Sequence, residues 1–100
     1  MNNPFHFTLK DSKGQMAEQD RWSWFFEDFL AERLLDGDIW TPWEITSVSR
    51  TDKRNGETVT IDTPQGLKDV FRDTIDELES QRREIDGVIT DLEVAIKDLG

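Results

Sequence analysis

The last third of the chain, from Pro64 to Leu99, constrains the fold more than any other stretch. Its apolar residues recur every three or four positions, and no proline interrupts it after Pro64. Thr63 is a favourable helix N-cap, and proline suits the first helical position, where its missing N–H needs no partner. Read in sevens, position a holds Ile75, Arg82, Ile89 and Ile96, and position d holds Phe71, Leu78, Ile85, Leu92 and Leu99. We call these residues the seam. Isoleucine at a with leucine at d is typical of two-stranded parallel coiled coils.

Gly87 is the position that argues against one continuous helix. A glycine in a helix interior costs about 1 kcal/mol relative to alanine. The heptad phase continues unchanged across Gly87, so we expect a single helix over residues 64–100. The alternative is a helical hairpin that breaks near this glycine.

A continuous helix of that length could not pack entirely on one small domain. At 1.5 Å per residue, roughly 35 residues span about 52 Å, whereas a compact chain of this size has a radius of gyration of about 13 Å. We therefore predict that the proximal half packs on a core and the distal half projects from it. The exposed seam would then need a partner or a second copy.

The partner-binding or dimerising residues of this projecting helix would be Arg82, Ile85, Ile89, Leu92, Ile96 and Leu99. A polar residue at position a often sets partner choice, so Arg82 is a candidate specificity residue. The alternative is an arginine that simply extends past a packed helix.

Residues 1–63 are predicted to form the α+β core of a protein that is a single domain overall. The alternation of apolar and polar side chains in residues 5–10 indicates a half-buried strand. In residues 16–36, aromatic side chains and leucines recur at helical spacing, which predicts an aromatic-rich helix facing the core. Its stripe consists of Trp22, Phe25, Phe26, Phe29, Leu30 and Leu34.

Residues 44–63 are predicted to form a β-hairpin around Asn55-Gly56, which is a strong two-residue turn signal. Such a turn pairs Arg54 with Glu57 across the strands. It puts the apolar residues of both strands on one face and their hydroxyl residues on the other. The predicted order is β-α-β-β-α, a small antiparallel sheet packed on the aromatic-rich helix and followed by the long C-terminal helix.

Trp24, Trp40 and Trp43 are candidate aromatic contacts for a partner. Trp24 lies at the edge of the predicted helical stripe, and tryptophan is over-represented among interface hot spots. Trp40 and Trp43 flank Pro42, which excludes a central strand there. We expect these two to cap the open end of the core, and an exposed platform is the alternative.

The charge of the chain limits the kinds of partner that it can bind. Lys and Arg number 12 against 22 Asp and Glu, a net charge of −10. Direct nucleic-acid binding is not expected, because affinity for phosphates comes from clustered basic side chains. A protein with a basic surface is the natural complement. The chain has no cysteine, no apolar run of membrane-spanning length and no signal-peptide pattern, so we expect a cytoplasmic protein without membrane attachment.

The sequence carries no recognisable catalytic or cofactor-binding motif. It has no glycine-rich phosphate loop after a strand, no G-x-S-x-G and no H-E-x-x-H. His6 is the sole histidine, and we expect it to be a surface residue on the polar face of a strand. Asp36-Gly-Asp38 lacks the remaining ligands of a calcium loop. We therefore expect no enzymatic activity, cofactor, metal or small-molecule substrate.

The first functional hypothesis is an acidic interaction protein that covers a basic surface. On a continuous helix, two rows of carboxylates would face the partner: Glu77, Glu84, Asp91 and Asp98 in one, and Glu79, Asp86 and Glu93 in the other. Fixed rows of carboxylates imitate a phosphate backbone, so the target would be a nucleic-acid-binding protein. In size, acidity and lack of catalytic motifs, the chain resembles in profile the small phage-encoded inhibitors of bacterial defence, including anti-CRISPR and anti-restriction proteins. That resemblance implies an inhibitor.

The second hypothesis gives the seam the functional role. The protein would then be a coiled-coil homodimer, or an adaptor whose helix pairs with a partner helix in an assembly. Binding by charge weakens steeply with salt, whereas helix pairing resists salt and fails when Leu92 is changed to Asp.

Overall fold

The computed structural model describes residues 3–36, 41–81 and 86–100. The strands are β1 (Phe5–Asp11), β2 (Met16–Arg21), β3 (Ile45–Asp52) and β4 (Glu57–Ile61), and the helices are α1 (Phe26–Asp36), α2 (Pro64–Ser80) and α3 (Asp86–Asp98). A short 3-10 helix, Pro42–Glu44, precedes β3. The fold is α+β, as predicted, in the order β-β-α-β-β-α-α.

The four strands form one antiparallel sheet in the order β2-β1-β3-β4. One face carries fully buried Phe7, Leu9 and Val48, which belong to the hydrophobic core. The opposite face carries polar side chains, among them Ser49 and Thr60, whose hydroxyls lie 3.1 Å apart across β3 and β4. The predicted division into an apolar face and a hydroxyl-rich face is therefore confirmed.

The prediction of a helix over residues 16–36 is wrong in its first part, because residues 16–21 form β2. Oδ1 of the buried Asp11 accepts hydrogen bonds from the backbone N–H groups of Lys13 and Gln15, at 3.0 and 2.8 Å. This turn sends the chain back along β1, and pairing with β1 overrides the helix propensity of the segment. Ala17 is the β2 side chain that joins the core, which is too weak an alternation to predict a strand.

The second part of that prediction is correct, although the helix starts later than expected. α1 begins at Phe26 and buries Phe29, Leu30, Ala31 and Leu34 against the core. The ring of Phe29 stacks on that of Phe7 in β1, with centroids 5.0 Å apart.

The hairpin between β3 and β4 exists, but its predicted register is wrong. Asp52, not Arg54, is the partner of Glu57, so the loop comprises residues 53–56, and Gly56 has a positive φ of 76°. The carboxylate of Asp52 accepts a hydrogen bond from the backbone N–H of Arg54 at 2.9 Å and pairs with its guanidinium at 2.9 Å. These bonds hold Arg54 inside the turn and close it at Asp52.

The C-terminal third is a helical hairpin, so the prediction of one continuous helix is wrong. α2 begins as expected, with Oγ1 of Thr63 accepting a hydrogen bond from the N–H of Gly66 at 3.1 Å. α2 ends at Ser80, and α3 packs against α2 and the 3-10 helix. The longest dimension of the molecule is 36 Å, too short for a straight helix of about 52 Å. Arg82, Arg83, Glu84 and Ile85 lie outside the described residues.

The distal part of the seam packs into the core and does not project, which corrects the prediction. Leu92 is 0% exposed, and Ile89, Ile96 and Leu99 are half-buried against the same cluster of residues from the sheet and the other helices. Because α3 folds back, this apolar surface is removed from water, which stabilises the fold by about 25 cal/mol for each Å² buried. The described seam residues of α3 are therefore covered within the chain itself.

Candidate protein-interaction surface

The negative charge of the protein is concentrated on its helices. α1 carries four acidic residues and one basic residue, α2 carries five and two, and α3 carries four and one. The apolar sides of these helices supply the core, so their carboxylates lie towards the outside of the helical layer. That layer is a negatively charged surface on one side of the molecule.

The carboxylate of Glu27 in α1 lies within electrostatic range of carboxylates of α2, where the two helices pack. Burial raises the pKa of Glu27 in α1, and the negative charges of Asp28, Asp73 and Glu77 raise it further. Like charges held together destabilise the free protein, and a cationic partner would relieve the repulsion. We call Glu27, Asp28, Asp73 and Glu77 the acidic cluster.

A cleft of about 270 Å³ lies beside the acidic cluster, at the junction of β2, α1 and the end of α2. Its walls include the carboxylates of Asp28 and Glu77 and the apolar side chains of Ala31 and Leu35. Arg21 also lines the cleft, and its guanidinium pairs with the carboxylate of Glu32 through two nitrogens. Acidic and apolar walls together suit the charged head and aliphatic stem of a lysine or arginine side chain.

A second exposed feature is the segment that joins β2 to α1, residues 22–25, which we call the aromatic loop. Trp22 is 57% exposed, Trp24 51% and Phe25 49%. The sequence-based assignment of Trp22 and Phe25 to the buried stripe of a helix is therefore wrong, because both precede the first residue of α1. Trp24, the candidate contact chosen from the sequence, is exposed and lies in this loop.

The aromatic loop is held to the sheet by Arg50 of β3. Its guanidinium lies 4.8 Å from the ring centroid of Trp24 and 4.9 Å from that of Phe26. The same group donates a hydrogen bond of 2.8 Å to the backbone carbonyl of Trp24. Stacking and hydrogen bonding from one side chain fix both the backbone and the ring.

Ser23 ties the other side of the loop to α1. Its hydroxyl donates a hydrogen bond of 2.6 Å to Asp28 and accepts one of 3.3 Å from the backbone N–H of Phe25. Ser23 and Asp28 thus hold the loop next to the acidic cluster. Ser23 and Asp28 are five residues apart in the sequence. Both lie in the segment that is predicted as one helix, so the sequence does not indicate a loop held by this pair.

The predicted rows of carboxylates do not form as expected. Heptad spacing aligns residues only along one helix, and here Glu77 and Glu79 lie on α2 while Asp91, Glu93 and Asp98 lie on α3. Glu79, Glu93 and Asp98 are exposed, and Glu77 and Asp91 are half-buried. Glu84 and the side chain of Asp86 lie outside the described part of the chain.

The remaining candidates from the sequence fall in different places. Trp43 is 45% exposed on the 3-10 helix, so it does not close the end of the core, whereas its neighbour Pro42 is buried. Trp40, the seam residues Arg82 and Ile85, and Gly37 and Asp38 of the acidic turn lie outside the described residues.

His6 lies on the open face of the sheet, as predicted, but it has close partners on β2. Its Nδ1 is 2.7 Å from Oδ1 of Asp20, and its Nε2 is 3.2 Å from Oε1 of Glu18. The hydrogen bond to Asp20, and then that to Glu18, raise the pKa of His6, and Asp20 also pairs with Lys53 at 3.1 Å. Each ring nitrogen faces a different carboxylate, so this group joins β1 to β2. The sequence does not reveal this group, because its helical spacing predicts a helix where β2 forms.

Comparison with protein-family models, with curated proteins and with solved structures finds no match for this chain. Within the described ranges, no helix is both long and apolar enough to cross a membrane. Those ranges also hold no group of three or more His, Asp or Glu side chains arranged to bind a metal ion.

Proposed function

We propose that this protein is a non-enzymatic interaction protein that docks its acidic helical layer on a basic surface of a partner protein and covers it. The observation that carries the proposal is the acidic cluster, in which the carboxylate of Glu27 on α1 is partly buried and lies within electrostatic range of Asp73 and Glu77 on α2; burial, and then these charges, raise its pKa. An excess of charge of one sign on a surface favours fast association with a surface of the opposite sign.

The partner we propose is a nucleic-acid-binding protein of the cytoplasm. Its basic surface would normally bind phosphates, and carboxylates fixed on two packed helices compete for the same lysine and arginine side chains. The adjoining cleft adds shape complementarity to the charge complementarity. One lysine or arginine side chain of the partner can enter between Asp28 and Glu77. Its aliphatic stem then contacts Ala31 and Leu35. In this role the protein is an inhibitor, in keeping with its profile resemblance to phage anti-defence proteins.

The coiled-coil alternative loses the feature on which it depended. It required Ile89, Leu92, Ile96 and Leu99 to be exposed on a projecting helix. Leu92 is buried in the core, and the other three are half-buried against it. A dimer through the seam would first have to unpack α3. We therefore favour the acidic surface as the functional one.

The proposal is tested by capturing partners on the immobilised protein from a bacterial lysate, followed by release with increasing salt and mass spectrometry. We expect basic nucleic-acid-binding proteins that leave at moderate salt, because contacts between charged surfaces are screened. An excess of oligonucleotide should displace them.

Two double variants with the same change of charge make the test specific. Asp73→Asn with Glu77→Gln removes charge from the acidic cluster, and Glu93→Gln with Asp98→Asn removes it from α3. The first pair should lose the captured proteins, and the second should keep most of them. Capture that is independent of salt, or equal loss in both pairs, would contradict the assignment of function to the acidic cluster.

A further inference from the structure

The aromatic loop is an exposed apolar surface whose conformation is fixed at Trp24 and Phe25. Exposed tryptophans that move freely lose side-chain entropy on binding, and a prearranged group loses less. In this loop, Arg50 holds the backbone and ring of Trp24, and Ser23 holds the backbone at Phe25. Large, rigid aromatic side chains of this kind form the anchors of protein interfaces.

The charges around the loop indicate what can cover it. Glu27 and Asp28 follow the loop after Phe26, and Asp28 is bonded to Ser23 within the loop. The two arginines beside the loop are engaged within the protein, Arg21 by Glu32 and Arg50 by the ring and carbonyl of Trp24. An anionic bilayer would be repelled by these carboxylates and by a net charge of −10. A second copy related by a two-fold axis would bring two like-charged clusters together, because such an interface joins the same patch on both subunits.

From this arrangement we propose that the aromatic loop anchors the protein in an apolar pocket bordered by lysine or arginine residues on the partner. The inference rests on the proposed function and names the chemistry of the partner surface. Trp22, Trp24 and Phe25 fill the pocket, while the acidic cluster pairs with its basic border. Arg50 is a positioning residue that keeps the loop in the binding conformation.

The test is selection of peptides from a random displayed library on the whole protein, followed by affinity measurements on the enriched sequence at low and high salt. We expect enriched peptides to combine lysine or arginine with leucine, methionine or an aromatic residue. Trp24→Ala and Phe25→Ala should each weaken binding about tenfold, as removal of an interface anchor does.

Trp43→Ala is the matched control, because Trp43 is exposed to a similar degree but lies on the 3-10 helix. Trp43→Ala should change the affinity by less than about twofold, because Trp43 lies outside the proposed contact with the peptide. Arg50→Gln should weaken binding while leaving the salt dependence unchanged, since its role is to hold the loop. Circular dichroism of each variant confirms that a loss of binding is not a loss of folding.

The outcomes separate this inference from the proposed function. Enriched peptides that are basic without apolar residues, and bind Trp24→Ala as well as the unchanged protein, overturn the anchor and leave the acidic surface standing. Enrichment of apolar peptides whose affinity does not change with salt would overturn both the aromatic anchor and the proposed function. The absence of any enriched sequence would do the same. Self-association or binding to neutral vesicles that is lost in Trp24→Ala also overturns the inference, because the occupant would then be a second copy or a membrane.

Discussion

The seam and the aromatic loop are both rich in large apolar side chains, yet they have opposite environments. In the seam, Leu92 is 0% exposed in a core shared by the sheet and all three helices, whereas Trp22 in the loop is 57% exposed. The sequence pattern suggests the reverse, a projecting seam and a buried aromatic stripe. Periodicity identifies residues that share one side of a helix, but it does not say what covers that side or where the helix begins.

The largest expected effect concerns the seam. Leu92→Ala should lower the free energy of unfolding by about 2–5 kcal/mol, because it leaves a cavity in a closely packed core. Val94→Ala, on the same helix at a position 41% exposed, should change it by less than about 0.5 kcal/mol. Urea unfolding followed by circular dichroism measures both. If Leu92→Ala left stability intact and abolished self-association, the seam would be an interface after all.

Trp24→Ala removes a larger side chain than Leu92→Ala but should cost far less stability. The exposed ring contacts the Phe25 ring and the Arg50 guanidinium, the latter a cation–π interaction of about 0.5–1 kcal/mol at such sites. Trp24→Ala should therefore lower the free energy of unfolding by no more than about 1 kcal/mol. A loss comparable to that of Leu92→Ala would mean that the aromatic loop supports the core and is not kept for a partner.

Several parts of the fold could be predicted from the sequence because their causes are local. The cap at Thr63, the alternation in β1 and the buried positions of Phe29, Leu30 and Leu34 all follow from neighbouring residues. The site depends on contacts between distant segments. Arg50 contacts Trp24 because β3 lies beside β1 and α1 packs across the sheet. The sequence of residues 22–25 does not indicate this contact.

The two main errors also have specific physical causes. Asp11 folds a helix-prone segment back as β2, and tertiary pairing outweighs propensities of less than about 1 kcal/mol per residue. The heptad phase is equally compatible with a straight helix and with a hairpin that buries the same seam. The second arrangement covers the apolar surface within the chain itself, which is why α3 packs on α2.

Removing charge from the acidic cluster should have a smaller effect. It should increase stability but weaken partner binding. Because the pKa of Glu27 is raised, its charge destabilises the fold above that pKa and ceases to do so as the pH falls below its ordinary value. Asp73 and Glu77 contribute to this shift after burial, so Asp73→Asn with Glu77→Gln should raise the free energy of unfolding by at most about 0.5 kcal/mol at neutral pH. The same change should weaken binding of the captured partner. A variant that lost stability would show that favourable contacts, such as the hydrogen bond of 2.6 Å from the Gln81 amide to Glu77, outweigh the repulsion in the free protein.

The smallest effect is expected at His6, on the sheet face that belongs to neither region. Its pKa is raised above 6.5 by Asp20 and Glu18, so its contribution to stability is fully present below pH 6.5 and is lost as the pH rises through the raised value. Exposed pairs of this kind can contribute as little as about 0.2 kcal/mol. His6→Gln should flatten stability against pH in that range and leave peptide binding unchanged, and altered binding would extend the functional surface to the open face.

The most direct test is a two-dimensional NMR titration of the protein with the basic peptide obtained by selection. We predict that the indole N–H signals of Trp22 and Trp24 shift together with the backbone amides of the acidic cluster. The indole signal of Trp43 and the amides around Leu92 should stay in place. Shifts confined to α3, with unchanged Trp22 and Trp24 signals, would show that the helical hairpin opens to bind through its seam and would contradict this account.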